Sequence, residues 1–595
     1  MFCEAGPRQA KAPAPSASRV SVESSDFSGQ SGDAALPPAS FDPDTGAQTG
    51  PSGSGHYIGA LPSGRDAPPA QLPTSCQMRL VGSGGGGNIQ QPLSSASIRC
   101  SGPGTPVPLQ GSAALLKFAG NFQGVKFSQA SSDLDSVLQV VGVTNLEIYN
   151  SVFNKLPASL RIAAGSVQIA NSNFTNIQGN TAGGLIIDHA VVDITSSRFT
   201  DSQSQSVIKH SFLSSQADQP NLFAGGAIFA GGESNVTVSS SIFHGNQNSQ
   251  SIGGAITAIG SSDVTVEDSS FSSNSAKQGG AIGSSSSTLS LTSSVFTSNS
   301  AGTTGGAIQT TDGSSTMQNC TFSYNNAGQL GGATAADGTD THTEDCEYMG
   351  NRAQSQGGGL YQSGCTGDID GSRFSNNSAL NGGAVYQNEG SGKLTGNNLS
   401  NNTAGTNGGA VYQQSHNGDV TRTTFTGNFA QSNGGGMYQN QATSTVQSCT
   451  FEDNTGGGLY RNTCNGNISG TKFNDNQSKQ GGGIYQDNCD GNDIEDCSFD
   501  GNSANQGSAA YLNNSVPKVS GTTVDGSSSL GSAFYRNTFG GSGSSSSGSD
   551  GGQSYAPEPA PSSSDSSSSD SSGSGSSSSG PPSGDLSSEG GIAGK

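Results

Sequence analysis

Two short phrases alternate along this chain at a fixed spacing, and that spacing decides what the chain can fold into. One is Gly-Gly-Ala/Gly followed by an aliphatic residue, as in Gly253-Gly254-Ala255-Ile256. The other is Phe-x-x-Asn, as in Phe271-Ser272-Ser273-Asn274. Each recurs at intervals of roughly 26 residues over most of the chain. Self-similarity with a period of about 20–50 residues marks a solenoid, in which each unit buries its apolar stripe against the next.

The glycine pairs begin at Gly183, Gly225, Gly253, Gly279, Gly305, Gly331, Gly357, Gly382, Gly408, Gly434, Gly456 and Gly481, with degenerate copies at Gly507 and Gly531. The aromatic position is Phe243, Phe271, Phe296, Phe322, Tyr348, Phe374, Leu399, Phe425, Phe451, Phe473 and Phe499. Phe153, Phe174 and Phe199 continue the series upstream without the Asn. One unit is short, because Asn454 runs almost directly into Gly456. Before each aromatic lies an alternating pair such as Val264/Val266 or Leu289/Leu291, the period of a strand. Sequence this rich in Gly and Ser sustains no helix. Each unit therefore reads as three short strands closing one coil, with coils stacked about 4.8 Å apart. The predicted fold is all-β, a right-handed parallel β-helix of about fifteen coils, on the order of 70 Å long.

Composition agrees. The chain has 595 residues, 90 Gly, no Trp and 30% hydrophobic residues, too little apolar bulk for a multidomain enzyme of this length. Residues 1–60, rich in Pro, Ser, Gly and Ala, read as disordered. Residues 61–114 read as an N-terminal cap, 115–538 as the β-helix and 539–595 as a flexible Ser/Gly-rich tail. The net charge of −21 disfavours nucleic acid and anionic membranes. No apolar run is long enough for a transmembrane helix, and Met1–Ala5 shows no signal-peptide pattern. The remaining features point to an extracellular or cell-surface setting.

Within the coil each recurring residue has a physical task. The aliphatic and the Phe point inward, and the glycines allow positive φ or close backbone approach at a corner. Asn recurs at Asn246, Asn274, Asn299, Asn325, Asn351, Asn377, Asn402, Asn428, Asn454, Asn476 and Asn502. Asn tolerates left-handed backbone, and stacked amides bond along the axis, so these eleven read as a structural ladder. Cys320/Cys346 and Cys464/Cys489 each share an offset in adjacent coils, and Cys76/Cys100 fall in the cap, so these are candidate disulfides.

The alternation of these two motifs over residues 183–511 resembles the repeats of the chlamydial polymorphic membrane proteins. More broadly, the chain is similar to the pectin-lyase-like β-helix superfamily. The first resemblance implies a surface adhesin with a β-helical body. Those adhesins end in an outer-membrane β-barrel, whereas no alternating strands follow residue 540 here. The second resemblance implies that polysaccharide lyases and hydrolases are relatives.

Carbohydrate hydrolysis needs paired carboxylates about 5–10 Å apart. The acidic pairs Glu267/Asp268, Glu344/Asp345, Asp368/Asp370 and Glu495/Asp496 fall in separate coils at differing offsets, as solvated acids do. Asp188-His189 is an isolated pair that faintly resembles an Ile-Asp-His phrase of the lyases. His56, His189, His210, His244, His342 and His416 have no metal-ligand spacing, so neither a metal nor another cofactor is expected, and no catalytic residue is assigned.

The strongest functional candidate follows the inward aliphatic. Tyr361, Tyr386, Tyr412, Tyr438, Tyr460, Tyr485, Tyr511 and Tyr535 occupy it in eight consecutive coils. Earlier coils carry Phe229, Thr257, Gly283, Gln309 and Ala335 there, and a site that accepts Gly, Gln and Thr faces out. Eight Tyr should then form an exposed stripe. Gln362, Gln387, Gln413, Gln439 and Gln486 follow, so the expected surface is a flat Tyr/Gln face that contacts glycans or a protein partner. Cross-strand packing alone would also account for stacked Tyr. The sequence thus reads as a non-enzymatic adhesin-like or glycan-binding β-helix, with a polysaccharide lyase or hydrolase and a structural wall component as alternatives.

Overall fold

A computed structural model describes residues 165–179, 182–204, 224–489, 492–525 and 533–537, together with strands upstream of residue 165. Residues 1–71 and 72–595 form separate compact units. In the first, the described residues are an antiparallel pair, Ser40–Phe41 with Gln48–Thr49. Apart from that pair, the segments expected to be disordered lie outside the described residues, as do the side chains of the 61–114 region, Cys76 and Cys100 included.

The described residues of the second unit form an all-β solenoid without helix. Its coil is seen in residues 253–280. The glycine pair leads into strand Ile256–Ile259, which belongs to sheet I, sixteen strands deep. A turn leads to Asp263–Glu267 in sheet II, with eighteen strands. A one-step corner leads to Ser270–Ser272 in sheet III, with fifteen strands. Past Asn274 comes a fourth strand, Ser275–Gln278, in a ten-stranded sheet IV. The three strands per coil read from the sequence are therefore four in much of the solenoid. The extra strand is often only two residues, as in Ser300–Ala301, and a single inward Ala is too weak a pattern to see among corner residues. Sheet IV ends with Phe429–Ala430, just before the short coil at Asn454.

Stacking is in register. Phe271 pairs with Phe296 and Ile256 with Ile282, parallel, and the same holds coil after coil. At the N-terminal end sheet II is edged by an antiparallel hairpin, Gln77–Val81 with Ser95–Cys100. Inside, the aromatic column stacks ring on ring, from Phe153–Phe174 at 4.6 Å between centroids to Phe473–Phe499 at 5.0 Å, interrupted at Leu399. Burial of each such ring contributes about 1.5–3 kcal/mol, and this column with the aliphatics of sheets I and II makes one continuous core.

The two glycines of each pair do different work. The first turns the corner with left-handed backbone, as at Gly253 (φ +71°) and Gly357 (φ +63°). The second lies so close to the next coil that a Cβ on Gly306 would sit 1.9 Å from the Gly332 carbonyl oxygen.

The eleven Asn form one buried column. Asn351 Nδ2 donates to Asn377 Oδ1 at 3.0 Å and to the Phe322 carbonyl at 2.9 Å, and Asn377 Oδ1 also accepts the Asn351 backbone N–H at 2.9 Å. The left-handed residue is not this Asn but the one before it: Ser273, Ser298, Tyr324, Asn376, Asn401, Asp453 and Asp475 all have φ of 51–55°. The ladder Asn is thus selected for its amide rather than for backbone tolerance.

Candidate binding face

The eight Tyr lie in one column on the outer side of sheet I, paired rung to rung from Tyr361↔Tyr386 to Tyr511↔Tyr535. Strand alternation puts them there, because the preceding aliphatic faces the core. They are less exposed than the sequence suggests. Centroid spacings run from 4.4 to 5.6 Å and interplanar angles from 6 to 22°. Each inner ring therefore covers the faces of its neighbours, and Tyr386 and Tyr438 are only 7% and 9% exposed. What remains toward solvent is a row of ring edges and hydroxyls. A Cβ on Gly408 would lie 3.0 Å from Tyr412 Cβ, so the glycine corner leaves room at the base of the Tyr side chain. Burial, with a smaller contribution from neighbouring Tyr, pushes the Tyr438 phenol up to about 12, and burial also raises Tyr361, Tyr386, Tyr412, Tyr460 and Tyr485.

The Gln placement is a correction. Gln362, Gln387, Gln413, Gln439 and Gln486 point into the solenoid and are at most 2% exposed, because the residue after an outward Tyr must face in. Gln387, Gln413 and Gln439 each donate through Nε2 to the Oε1 of the preceding Gln at 2.9 Å. They fill space that sheet II gives up. Where earlier coils place Val264 or Leu289 as the first inward residue of sheet II, the register puts Gly367, Gly392 and Gly418. Sheet II strands shrink there to two residues, such as Leu394–Thr395, and the Gln amides reach the freed carbonyls, Gln387 Nε2 donating to Gly392 O at 3.3 Å. Arg461 takes the Gln place in one coil, and its guanidinium donates to the Gly466 carbonyl.

The surface beside the Tyr is lined instead by amides that the sequence reading passed over. Two positions after the Tyr stand Ser363, Asn388, Gln414, Asn440, Asn462, Asp487, Asn513 and Asn537; Asn440 Nδ2 donates to Gln414 Oε1 and Asn462 Nδ2 to Asn440 Oδ1, both at 2.8 Å, and Asn513 Nδ2 donates to Asp487 Oδ1 at 2.7 Å. On the other side, just before the glycines, stand Gln356, Asn381, Asn407, Asn433, Gln480 and Gln506, with Gln480 Nε2 donating to Gln506 Oε1 at 2.9 Å. The signal that could have found the first column is the same period of two, counted from Tyr; the second recurs at a fixed place, one residue before the glycine pair.

Among the described residues the acidic pairs are dispersed along the solenoid, except that Glu344 and Asp370 stand in register in adjacent coils. Asp268, Asp345 and Asp496 turn the corner before sheet III with φ of 47–52°, which gives them a backbone task. Glu344 sits opposite Asp370 in the next coil, and Asp368 Oδ1 accepts the Lys393 backbone N–H at 2.8 Å. His189 Nδ1 lies 2.7 Å from Asp188 Oδ1, and Arg161 from the preceding coil reaches Asp188 Oδ2 at 3.1 Å. A depression of about 360 Å³ on the outer face of sheet II is lined by Gln168, Asp193 and Thr237 and holds one carboxylate. Among the described residues no group of three His, Cys, Asp or Glu is placed to hold a metal ion, and no helix is long and apolar enough to cross a membrane. Cys320, Cys346, Cys464 and Cys489 are buried free thiols; Cys320 N–H lies 3.4 Å from Cys346 Sγ and Cys464 N–H 3.3 Å from Cys489 Sγ.

No curated protein sequence matches the chain. Among solved structures, tailspike protein 3 of bacteriophage CBA120 is 10% identical over 73% of this chain, with a TM-score of 0.31, and the match spans 57% of that protein. A tailspike variant of E. coli bacteriophage HK620, solved with a pentasaccharide, is 10% identical over 71% of this chain and 74% of its own, at a TM-score of 0.21. A PL6 family alginate lyase is 7% identical over 71% and 97%, at 0.15. Similarity this low carries nothing to this chain. The model of the right-handed beta helix region matches residues 136–322 and 383–545, more than half of the sequence and the stretch where the stacked parallel sheets lie. The chain belongs to the right-handed β-helix family.

Proposed function

We propose that this protein is a non-enzymatic, extracellular or cell-surface β-helix whose Tyr face binds an uncharged polysaccharide. The observation that carries the reading is the Tyr column bordered on both sides by amide columns. Ring edges and phenolic hydroxyls, flanked by donors and acceptors at a repeat of about 4.8 Å, offer a regular array for a polymer of hydroxyl groups. Amides and phenols are neutral, and the border contains few acids, Asp487 and Glu389 among them. Lysine and arginine, which an acidic polymer would call for, are absent from the two columns that flank the Tyr. An adhesin-like role follows the motif resemblance.

The test is a polysaccharide array with the full chain, its Tyr386→Phe/Tyr412→Phe/Tyr438→Phe variant, and the corresponding triple Ala variant. The Phe variant keeps the stack and removes hydroxyls. Loss of at least tenfold in binding with Phe supports the reading; unchanged binding with both variants moves the site to another face. Erosion of an immobilised polysaccharide by the wild-type chain would replace binding with catalysis.

A further inference from the structure

The Tyr column has a property that sugar binding does not use: its phenols are oxidisable groups held face to face. Tyr460 and Tyr485 pair across adjacent coils, with ring centroids 4.4 Å apart and an interplanar angle of 6°. Both are partly exposed, whereas Tyr386 and Tyr438 are buried. Tyr438 precedes the pair at 4.9 Å and Tyr511 follows it at 5.0 Å. Two Tyr elsewhere supply the contrast. Tyr348 is fully buried, and among the described residues its ring stacks only on Phe322 and Phe374. Tyr324 is 50% exposed, but its neighbours in the corner column are Ser298 and Gly350. One fold thus holds phenols that are stacked and reachable, stacked and sealed, and reachable and alone.

We propose that the Tyr column is a site of oxidative cross-linking, where a haem peroxidase with hydrogen peroxide joins Tyr460 to Tyr485 as dityrosine and ties adjacent coils covalently. Peroxide takes two electrons from the peroxidase and leaves as water. The peroxidase recovers one electron from each Tyr, and each phenol gives its proton to solvent. In the resulting phenoxyl radicals the unpaired electron lies in the ring π system, with density on the carbons ortho to oxygen. Face-to-face stacking points those orbitals at one another. One bond forms between two ortho carbons, and each carbon then passes its hydrogen, as a proton, to its own ring oxygen. Two Tyr and one hydrogen peroxide give one dityrosine and two waters. The remaining gap closes by rotation about side-chain torsions of rings that have solvent on one side. Rings already held in this geometry couple faster within the column than between dilute chains. The inference does not rest on polysaccharide binding, because the oxidant acts on the same phenols whatever the ligand of the face.

The experiment treats the dilute full chain with a haem peroxidase and hydrogen peroxide. Peptide mass spectrometry then reads peptide pairs that are joined with the loss of two hydrogens. Tyr460–Tyr485 is expected as the leading link, in about tenfold excess over any link between coils that are not adjacent. Tyr485→Phe, which keeps the ring in the stack, should abolish that link and leave the rest of the column able to couple. The same treatment in urea should scatter links over all Tyr, Tyr324 and Tyr348 included. Links in the folded chain as scattered as those in urea, links formed only between chains, or no link at all would overturn the proposal. The polysaccharide array, run without oxidant, reads sugar binding separately.

Discussion

At the scale of single residues, the columns differ in how readily they are read. The Asn ladder is visible in sequence because one residue type recurs at one offset. Its partner, the left-handed corner residue, is not, since Ser, Tyr, Asn, Asp and Gly all serve there. The inward Gln were readable by counting one residue on from Tyr; the glycines opposite them in sheet II were not, because their relation to Gln exists only once coils are registered. Asn377→Ala would strand the Asn351 amide and backbone N–H and release the Tyr348 carbonyl. Unsatisfied buried groups cost about 1–3 kcal/mol each, so a loss of about 3 kcal/mol or more is expected in urea denaturation. Arg461→Gln runs the other way. It completes the Gln column and removes an unpaired buried charge, and a gain of about 1–3 kcal/mol is expected. A lowered denaturation midpoint would show that the guanidinium is better compensated than its neighbours indicate.

At the scale of elements, sheet II was legible from alternating pairs such as Val264/Val266 and Leu289/Leu291, sheet I only as far as its inward aliphatic and outward Tyr, and sheet IV was not legible, for want of a pattern longer than two residues. The Tyr column turns sheet I into a pH-sensitive element. Its phenols ionise above their ordinary value of 10.0 because burial disfavours the charged form. A raised folded pKa means the neutral stack contributes its full stability below the unfolded value, and this is lost as pH climbs through the folded value, about 12 at Tyr438. Stability should therefore be level with respect to these groups up to about pH 9 and fall steeply between about 10 and 12. Absorbance at the phenolate band followed together with circular dichroism checks this. The Tyr386→Phe/Tyr412→Phe/Tyr438→Phe variant should show a shallower fall, and an identical fall would remove the stack as its cause.

At the scale of the molecule, contacts join each coil to its two neighbours, and stability is close to a sum of coils and interfaces. Deleting residues 382–407 joins Asn381 to Gly408, the same Asn-Gly step found at Asn407-Gly408, and keeps every column aligned. This deletion is expected to leave protease resistance and strand content per residue unchanged. Deleting 382–394 instead brings the wrong faces together and should expose the chain to cleavage. The width of a coil was legible from the motif period, but the solenoid has about 13 turns rather than the fifteen expected. The division into a first part with an aliphatic core and a second part whose core adds a Gln column was not legible, because Gly, Ser and Gln each look like loop residues when read alone. That division has a thermal consequence. Exposing apolar surface raises heat capacity and exposing amide surface lowers it. Coils packed around Gln362–Gln439 should therefore have a flatter dependence of opening free energy on temperature than coils packed around Val236–Leu291, so that warming and cooling loosen the first part of the solenoid more than the part that carries the Tyr.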